Sequence, residues 1–202
     1  MKLLAIINFK VGRDADPVIC NKSLDVSHLN FFQRSSGKEF LVFLSRTLAK
    51  RVTPNQKVQV TQEGHVLFAL ANSDGLCSVA VADTEYPLRV AFSMLLTVQG
   101  EFAKTFRGKY ESPTLAVKDD FLPWVELDAM LAKYQKPEEA DKILAIHKNI
   151  EETKVVMHDA IDKVLERGEK IDNLVAKSND LSVASKTFYT EAKKTNSCCT
   201  IM

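Results

Sequence analysis

The last third of the chain carries one repeating pattern of apolar positions. After Pro137 there is no proline and a single glycine, Gly168, so little in this stretch interrupts a helix. Alternating steps of three and four residues select a stripe that is mostly apolar, whereas the residues between are rich in Glu, Asp, Lys and Asn. The stripe is a coiled-coil seam with Arg167 near its middle, and its main apolar members are Ile143, Ile146, Ile150, Met157, Ala160, Val164, Ile171, Leu174, Leu181 and Phe188.

A helix with one narrow apolar face is marginal in water when it has no partner. We therefore expect the segment to be disordered or folded back until partner helices arrive. In an assembled bundle, at about 1.5 Å per residue, the seam would form a rod roughly 80 Å long.

The first two thirds of the chain alternate between strand-like and helix-like patterns. Residues 3–9 and 17–21 are typical of two strands, and the capping box SGKE at 36–39 predicts the start of a helix that ends before Pro54. Three strand-like segments follow, and Pro87 then opens a second helix. A third helix, with Asp119 or Asp120 as its cap, is predicted around Trp124.

This order predicts an antiparallel α+β domain in which helices pack on a sheet. Its predicted core includes Leu4, Ile6, Leu44, Leu67, Val79, Val81, Val90 and Met94.

Composition excludes several classes of protein. The chain has 202 residues, 46% of them hydrophobic and 26% charged, which suits one globular domain with an extension. A net charge of +1 gives no argument for nucleic acid, and no apolar run approaches the length of a membrane span. Cys20 and Cys77 fall in strand-like runs and do not form a disulfide framework, which fits a reducing cytosol.

Arg167 is the unusual member of the seam. A guanidinium stays charged and presents five donors, so an apolar layer encloses it at high cost unless acceptors surround it. A polar residue inside a seam fixes register and partner choice. The alternative is an arginine that reaches water from the edge of the seam, and the pattern alone leaves both open.

The last four residues, CTIM at 199–202, fit the C-a-a-X prenylation signal, and the final Met favours a farnesyl chain on Cys199. Cys198 is placed where a second, palmitoylated cysteine would be. One lipid chain binds membranes weakly and two bind stably, so a removable palmitoyl group predicts cycling between cytosol and membrane. The alternative is an accidental cysteine in the tail.

The sequence VLERGEKI at 164–171 resembles the centre of an arginine-type SNARE motif of the synaptobrevin class. The resemblance implies that Arg167 forms the ionic central layer of a parallel four-helix bundle with three glutamine-type (Q) SNARE helices. Thr153 departs from it as a polar residue at an earlier layer.

The first part of the chain resembles the longin domain of a prenylated arginine SNARE without a membrane span, through DVS at 25–27, FFQRSS at 31–36 and DTEYP at 83–87. The resemblance implies a profilin-like domain with a five-stranded antiparallel sheet flanked by helices, followed by a long SNARE coiled-coil helix. It also implies that the longin domain regulates by folding back on its own SNARE segment, with Phe43 on the contact surface. The alternative for Phe43 is ordinary core packing, with Phe40 and Leu44 nearby.

The predicted organisation is a longin domain at 1–134, a linker at 135–137, the SNARE motif at 138–195 and a lipidated tail at 196–202. The expected partners are three Q-SNARE helices, the chain's own longin domain and a membrane held through the lipids. The expected location is the cytosol and the cytoplasmic face of Golgi, endoplasmic reticulum, endosomal or vacuolar, and vesicle membranes. No cofactor other than the covalent farnesyl and palmitoyl lipids is expected.

No catalytic constellation stands out. The phosphate-binding loop of small GTPases, the G-x-S-x-G elbow, H-E-x-x-H and paired C-x-x-C motifs are all missing from the sequence. Cys77 is interpreted as inert packing in a strand. The chain is therefore expected to have no enzymatic activity and no metal site. A longin-type adaptor tethered by a lipidated helix, without fusion activity, is the alternative to a fusion SNARE.

Overall fold

A computed structural model of the chain describes residues 1–12, 15–110, 118–138 and 155–198. Its centre is an antiparallel sheet made of β1 (Leu3–Lys10), β2 (Val18–Leu24), β3 (Lys57–Gln62), β4 (His65–Ala71) and β5 (Leu76–Asp83). The strand order is β2-β1-β5-β4-β3, and a sixth strand, β6 (Val155–His158), pairs parallel to β3 at the edge. The predicted antiparallel sheet is therefore present, with one strand added by the C-terminal segment.

Helices cover both faces of this sheet. They are α1 (Arg34–Arg51), α2 (Leu88–Thr105), α3 (Glu126–Lys133), α4 (Ile171–Lys177) and α5 (Val183–Cys198), with short 3-10 turns at Phe31–Gln33 and Ile161–Lys163. In β5, Cys77, Val79 and Val81 point into the core shared with α1, whereas Leu76 and Ala80 point into the core shared with α2 and α3. The period of two along the strand thus builds two separate cores.

The eight residues predicted for the core are all buried, so that prediction is confirmed. Tyr134 is buried as well, and its carbonyl accepts a 2.8 Å hydrogen bond from the Tyr86 hydroxyl. The next residue, Gln135, donates to Leu3 O at 2.6 Å and accepts from Leu3 N at 3.1 Å. The contacts of the domain therefore extend into the stretch that we predicted as a linker.

The predicted start of α1 was wrong. The helix begins at Arg34, directly after a 3-10 turn, and Ser36 is buried inside its first turn rather than capping it. The reason is tertiary: the Glu39 carboxylate, which a capping box would turn back on its own helix, accepts hydrogen bonds from the C-terminal segment instead.

The cap predicted for α3 was also wrong. The helix begins at Glu126 behind Val125, without a capping side chain. Asp119 Oδ1 accepts a 3.0 Å hydrogen bond from Ile19 N, and Asp120 forms an ion pair with Lys22. The two aspartates thus attach their loop to β2 at the edge of the sheet.

Residues 155–198 do not form one continuous helix. They run as β6, a 3-10 turn, α4 and α5, and the chain reverses near Gly168, whose φ of 91° is in the left-handed region. The segment is folded back on the α1 face of the domain, which is the second of the two states expected for an unpartnered seam.

Candidate functional site

The face of the domain formed by α1 and the edge of the sheet is covered by the C-terminal segment. Its apolar side chains enter the same core as Phe40, Leu44 and Leu48 of α1. The buried ones, each at most 9% exposed, are Ile161, Leu165, Ile171, Val175, Leu181 and Tyr189. This is core packing rather than loose surface contact. We call the arrangement in which the C-terminal segment covers α1 the closed form, and hydrophobic burial stabilises it.

The first contact along the segment is strand addition. Val155 and Val156 pair with Lys57 and Val58 in a parallel ladder that continues to His158. β-branched residues favour such a half-buried edge position. Immediately after the strand, Ile161 N donates a 3.2 Å hydrogen bond to Gln62 Oε1, which satisfies the backbone where the ladder ends.

Arg51, the last residue of α1, binds two acidic residues on either side of Arg167. One Nη atom pairs with Glu166, and the other donates to Glu169 Oε2 at 2.7 Å. Glu169 Oε2 also accepts a 3.2 Å hydrogen bond from Glu166 N, so the turn around Gly168 is closed on itself. We call Arg51, Glu166 and Glu169 the arginine clamp.

A second polar contact lies near the start of α1. Glu39 Oε2 accepts hydrogen bonds from Ser185 Oγ at 2.6 Å and Ser182 N at 3.1 Å, and these bonds, that of Ser185 first, hold the pKa of Glu39 below its usual value. Farther along α1, Arg46 Nη1 contacts Asp180 Oδ2 at 3.4 Å. Since α1 meets Ser185 near its start and Asp180 farther on, the segment runs antiparallel to the helix.

Aromatic rings form the centre of the contact between α1 and α5. The Phe40 ring lies 5.1 Å from the Tyr189 ring and 6.4 Å from the Phe188 ring, centroid to centroid. The Tyr189 hydroxyl donates to Asp172 Oδ1 at 2.6 Å, and Lys193 Nζ binds Asp172 Oδ2 at 2.6 Å. The bonds from Lys193 and then Tyr189 lower the pKa of Asp172, whereas burial first and this carboxylate second raise the pKa of Tyr189.

Phe43 is half-buried and stacks on Phe40 with centroids 6.5 Å apart. Together with Leu174 it lines a groove of about 390 Å³ between α1 and the C-terminal segment. The structure thus places Phe43 at the edge of the contact, and its regulatory role stays a prediction. Phe40, one turn earlier, is the residue whose ring meets α5.

The predicted seam residues differ in their exposure to solvent in the closed form. Ile171 and Leu181 are buried and Ala160, Val164, Leu174 and Phe188 are half-buried, whereas Met157 is 59% exposed and Arg167 is exposed. Ile143, Ile146 and Ile150 lie outside the described residues. Cys198 is the last residue of α5, and Cys199 lies outside the described residues.

Four buried residues of the segment were not predicted from the sequence, namely Ile161, Leu165, Val175 and Tyr189. All four are apolar and all lie off the seam, so the description of one narrow apolar face was incomplete. Apolar residues in the polar part of a heptad were the available signal. The arginine clamp had no sequence signal, because Arg51 lies more than 100 positions from both glutamates.

Two further observations concern chemistry that the sequence raised. Burial raises the pKa of the Cys77 thiol to about 12, so a thiolate nucleophile is not available there. In the part of the chain that the structure describes, no helix has both the length and the apolarity of a membrane span.

Comparison with known proteins shows which family the chain resembles. Residues 26–121 match the longin family model, described as a regulated-SNARE-like domain, and residues 142–200 match the synaptobrevin model. The chain is 49% identical over 203 residues to the VAMP-like protein YKT61 of Arabidopsis thaliana, and 43% identical over 202 residues to the synaptobrevin homolog ykt6 of Schizosaccharomyces pombe, with full coverage of both chains. The synaptobrevin homolog YKT6 of Saccharomyces cerevisiae is 40% identical, over 88% of each chain.

A longin domain followed by a synaptobrevin-type segment defines the class of longin-domain arginine SNAREs, which act in vesicle trafficking and are not enzymes. Similarity over the whole chain then decides the family, and this chain belongs to the YKT6 family of synaptobrevin homologues.

Proposed function

We propose that this chain drives vesicle docking and fusion by assembling with three Q-SNARE helices, with Arg167 as the central layer of the bundle. In the closed form Arg167 is exposed, whereas its neighbours Glu166 and Glu169 are held by Arg51. The guanidinium is therefore accessible to glutamine acceptors, but the turn at Gly168 must straighten before a continuous helix can form.

The observation that carries this proposal is the seating of the SNARE segment on the longin domain. Ile171 and Leu181, which the bundle needs in its core, are 4% and 5% exposed against α1 and the sheet. The same side chains cannot be buried in two places, so closure and bundle assembly exclude each other. The longin domain thus acts as an inhibitor that competes with the Q-SNARE helices.

We further propose that the C-terminal cysteines anchor the chain to membranes, with farnesyl on Cys199 and palmitoyl on Cys198. The sequence supports this through the C-a-a-X signal. Two lipid chains give a stable anchor where one does not, so palmitoylation would retain the chain at the cytoplasmic face of Golgi, endoplasmic reticulum, endosomal or vacuolar, and vesicle membranes.

Reconstitution tests the fusion role. Vesicles carrying the lipidated chain are mixed with vesicles carrying a Qa-, Qb- and Qc-SNARE set from the same cells, and lipid mixing is followed. We expect Arg167→Gln to impair mixing and a compensating Gln→Arg in one partner to restore it. Full mixing by Arg167→Gln without compensation would favour the alternative of an adaptor whose helix only tethers it.

The anchor is tested separately by fractionation. We expect Cys199→Ser to leave the chain wholly soluble, and Cys198→Ser to weaken stable attachment while farnesylation continues. Membrane retention of Cys199→Ser at the wild-type level would refute the prenyl anchor.

A further inference from the structure

The side chains that hold the segment in the closed form are only partly those of the seam. In the long helix that the heptad pattern predicts, Val164 and Ile171 occupy a positions and Arg167 and Leu174 occupy d positions. On this count Ile161, Val175 and Tyr189 occupy e positions, beside the seam, and Leu165 occupies a b position, on its outer side. All four are nevertheless buried against the longin domain.

Several polar contacts also use positions outside the seam, beside the bond from Ser185, at an a position, to Glu39. Glu166 and Glu169, which bind Arg51, occupy c and f positions. Asp172 and Lys193, which pair with each other beneath Tyr189, both occupy b positions. These positions face outward in a coiled-coil bundle, so assembly itself makes little use of them.

Some residues that the seam does require are left in water by the closed form. Met157 is 59% exposed and Arg167 is exposed. The two arrangements share the buried seam residues Ile171, Leu181 and Ser185, together with the half-buried Val164, Leu174 and Phe188, which explains why they exclude each other. The closed form differs from the bundle in that it also uses residues at the e, b, c and f heptad positions.

We propose that the SNARE segment carries a second binding face, built from these outer heptad positions, whose partner is the chain's own longin domain. This outer face consists of Ile161, Leu165, Glu166, Glu169, Val175 and Tyr189. The inference rests on the proposed function, because it assumes that the seam serves the bundle. It follows that closure can be weakened without weakening the bundle.

The outer face fits the longin surface both chemically and geometrically. Its apolar residues enter the core around Phe40 and Leu44, and its carboxylates reach the guanidinium at the end of α1. Once the bundle has formed, the outer face is not consumed by it. These side chains are therefore available to pack on the longin domain again once the bundle is taken apart and the segment refolds.

Leu165→Gln is the discriminating variant, because Leu165 is 9% exposed in the closed form and lies farther from the seam than the other apolar residues of the outer face. The matched control is Val183→Gln, which makes the same kind of change at an f position whose side chain is 82% exposed in the closed form. Glutamine forms helices well, so neither change opposes the bundle helix.

Two measurements on the full chain are compared. The first is amide hydrogen exchange in β6 and the facing edge of β3, which reports release of the segment. We expect Leu165→Gln to accelerate this exchange by at least about tenfold, since a buried leucine is lost from a core, and Val183→Gln to leave it unchanged. Exchange in β1 and β5 reports the domain itself and should not change in either variant.

The second measurement is the melting temperature of the assembled complex, with a Qa-, Qb- and Qc-SNARE set chosen beforehand because the wild-type chain forms a detergent-resistant complex with it. We expect both variants to match wild type, whereas Leu174→Gln in the seam lowers the melting temperature.

Unchanged β3 exchange in Leu165→Gln would overturn the outer face, as would a complex destabilised as much as that of Leu174→Gln. Failure of the wild-type chain to assemble with any set would instead overturn the proposed function. The exchange measurement would still decide whether the outer face holds the closed form.

Discussion

Reversing the charge of Arg51 should open the molecule. The Arg51 side chain is 18% exposed and contacts Glu166, which is 70% exposed, and Glu169, which is 33% exposed. The exposed pair contributes little, and the partly buried pair about 1 kcal/mol. In Arg51→Glu this attraction is lost and three carboxylates meet at one place, so we expect a total cost of about 2 kcal/mol, or roughly a 30-fold shift toward the open form.

Hydrogen exchange of the β6 amides is a suitable assay, because their protection depends on pairing with β3. Lys50→Glu is the matched control. It is the neighbouring residue with the same charge change, but its ion-pair partner is Asp16 of the domain rather than the C-terminal segment. We expect exchange in β6 to accelerate in Arg51→Glu and to stay close to wild type in Lys50→Glu.

Charge exchange completes the experiment. Adding Glu166→Arg and Glu169→Arg to Arg51→Glu should restore protection in β6, because opposite charges again meet at the end of α1. Equal acceleration in Arg51→Glu and Lys50→Glu would mean that net charge matters and the clamp does not. Absence of rescue in the triple variant would also refute the reasoning.

Three further outcomes are expected. Phe40→Ala removes a ring in contact with α5 and should lower the free energy of unfolding by about 3 kcal/mol, measured by urea denaturation; an unchanged midpoint would contradict this. The pKa values of the Glu39 and Asp172 carboxyls are held below their ordinary 4.5 and 3.8, so closure should be fully stabilised above the ordinary values and should weaken as the pH falls through the lowered pKa values. Hydrogen exchange in β6, corrected for intrinsic rates, checks this, and constant protection down to pH 3 would exclude it. Gly75→Ala should lower the free energy of unfolding by about 1 to 2 kcal/mol, because Gly75 has a φ of 85° and a Cβ would lie 2.9 Å from Val11 O. Gly64→Ala has open space around it and should cost only the penalty for positive φ, about 1 kcal/mol. Equal melting temperatures of the two variants would show that the contact with Val11 O is harmless.

The sequence predicts the longin domain well because its signals are local. Strand alternation and helical periodicity place the core, and Pro87 lies directly before the first residue of α2, as expected. The errors lie at helix starts. SGKE has the form of a capping box, yet Ser185 and Ser182, far along the chain, bind Glu39 more effectively than its own helix end does.

The candidate site is harder to predict, because one segment has two partners. The spacing of the seam describes the bundle, in which the segment would be a continuous helix. The closed form obeys other signals: Val155 and Val156 suit a strand edge, and Gly168 permits the reversal. Both sets of signals lie in the same stretch of sequence. The heptad period of 3.5 residues is the stronger, so it dominates over the strand and turn signals of the closed form.

The parallel pairing of β6 with β3 has a consequence for the order of events at the membrane. Without β6, strand β3 is a bare border of the sheet, and its sequence KVQVTQ holds two valines, no proline and a single charge. Such a border recruits other chains indiscriminately. Release of the SNARE segment thus leaves an aggregation-prone edge strand, so selection should favour molecules that release the segment only when the acceptor helices are already close.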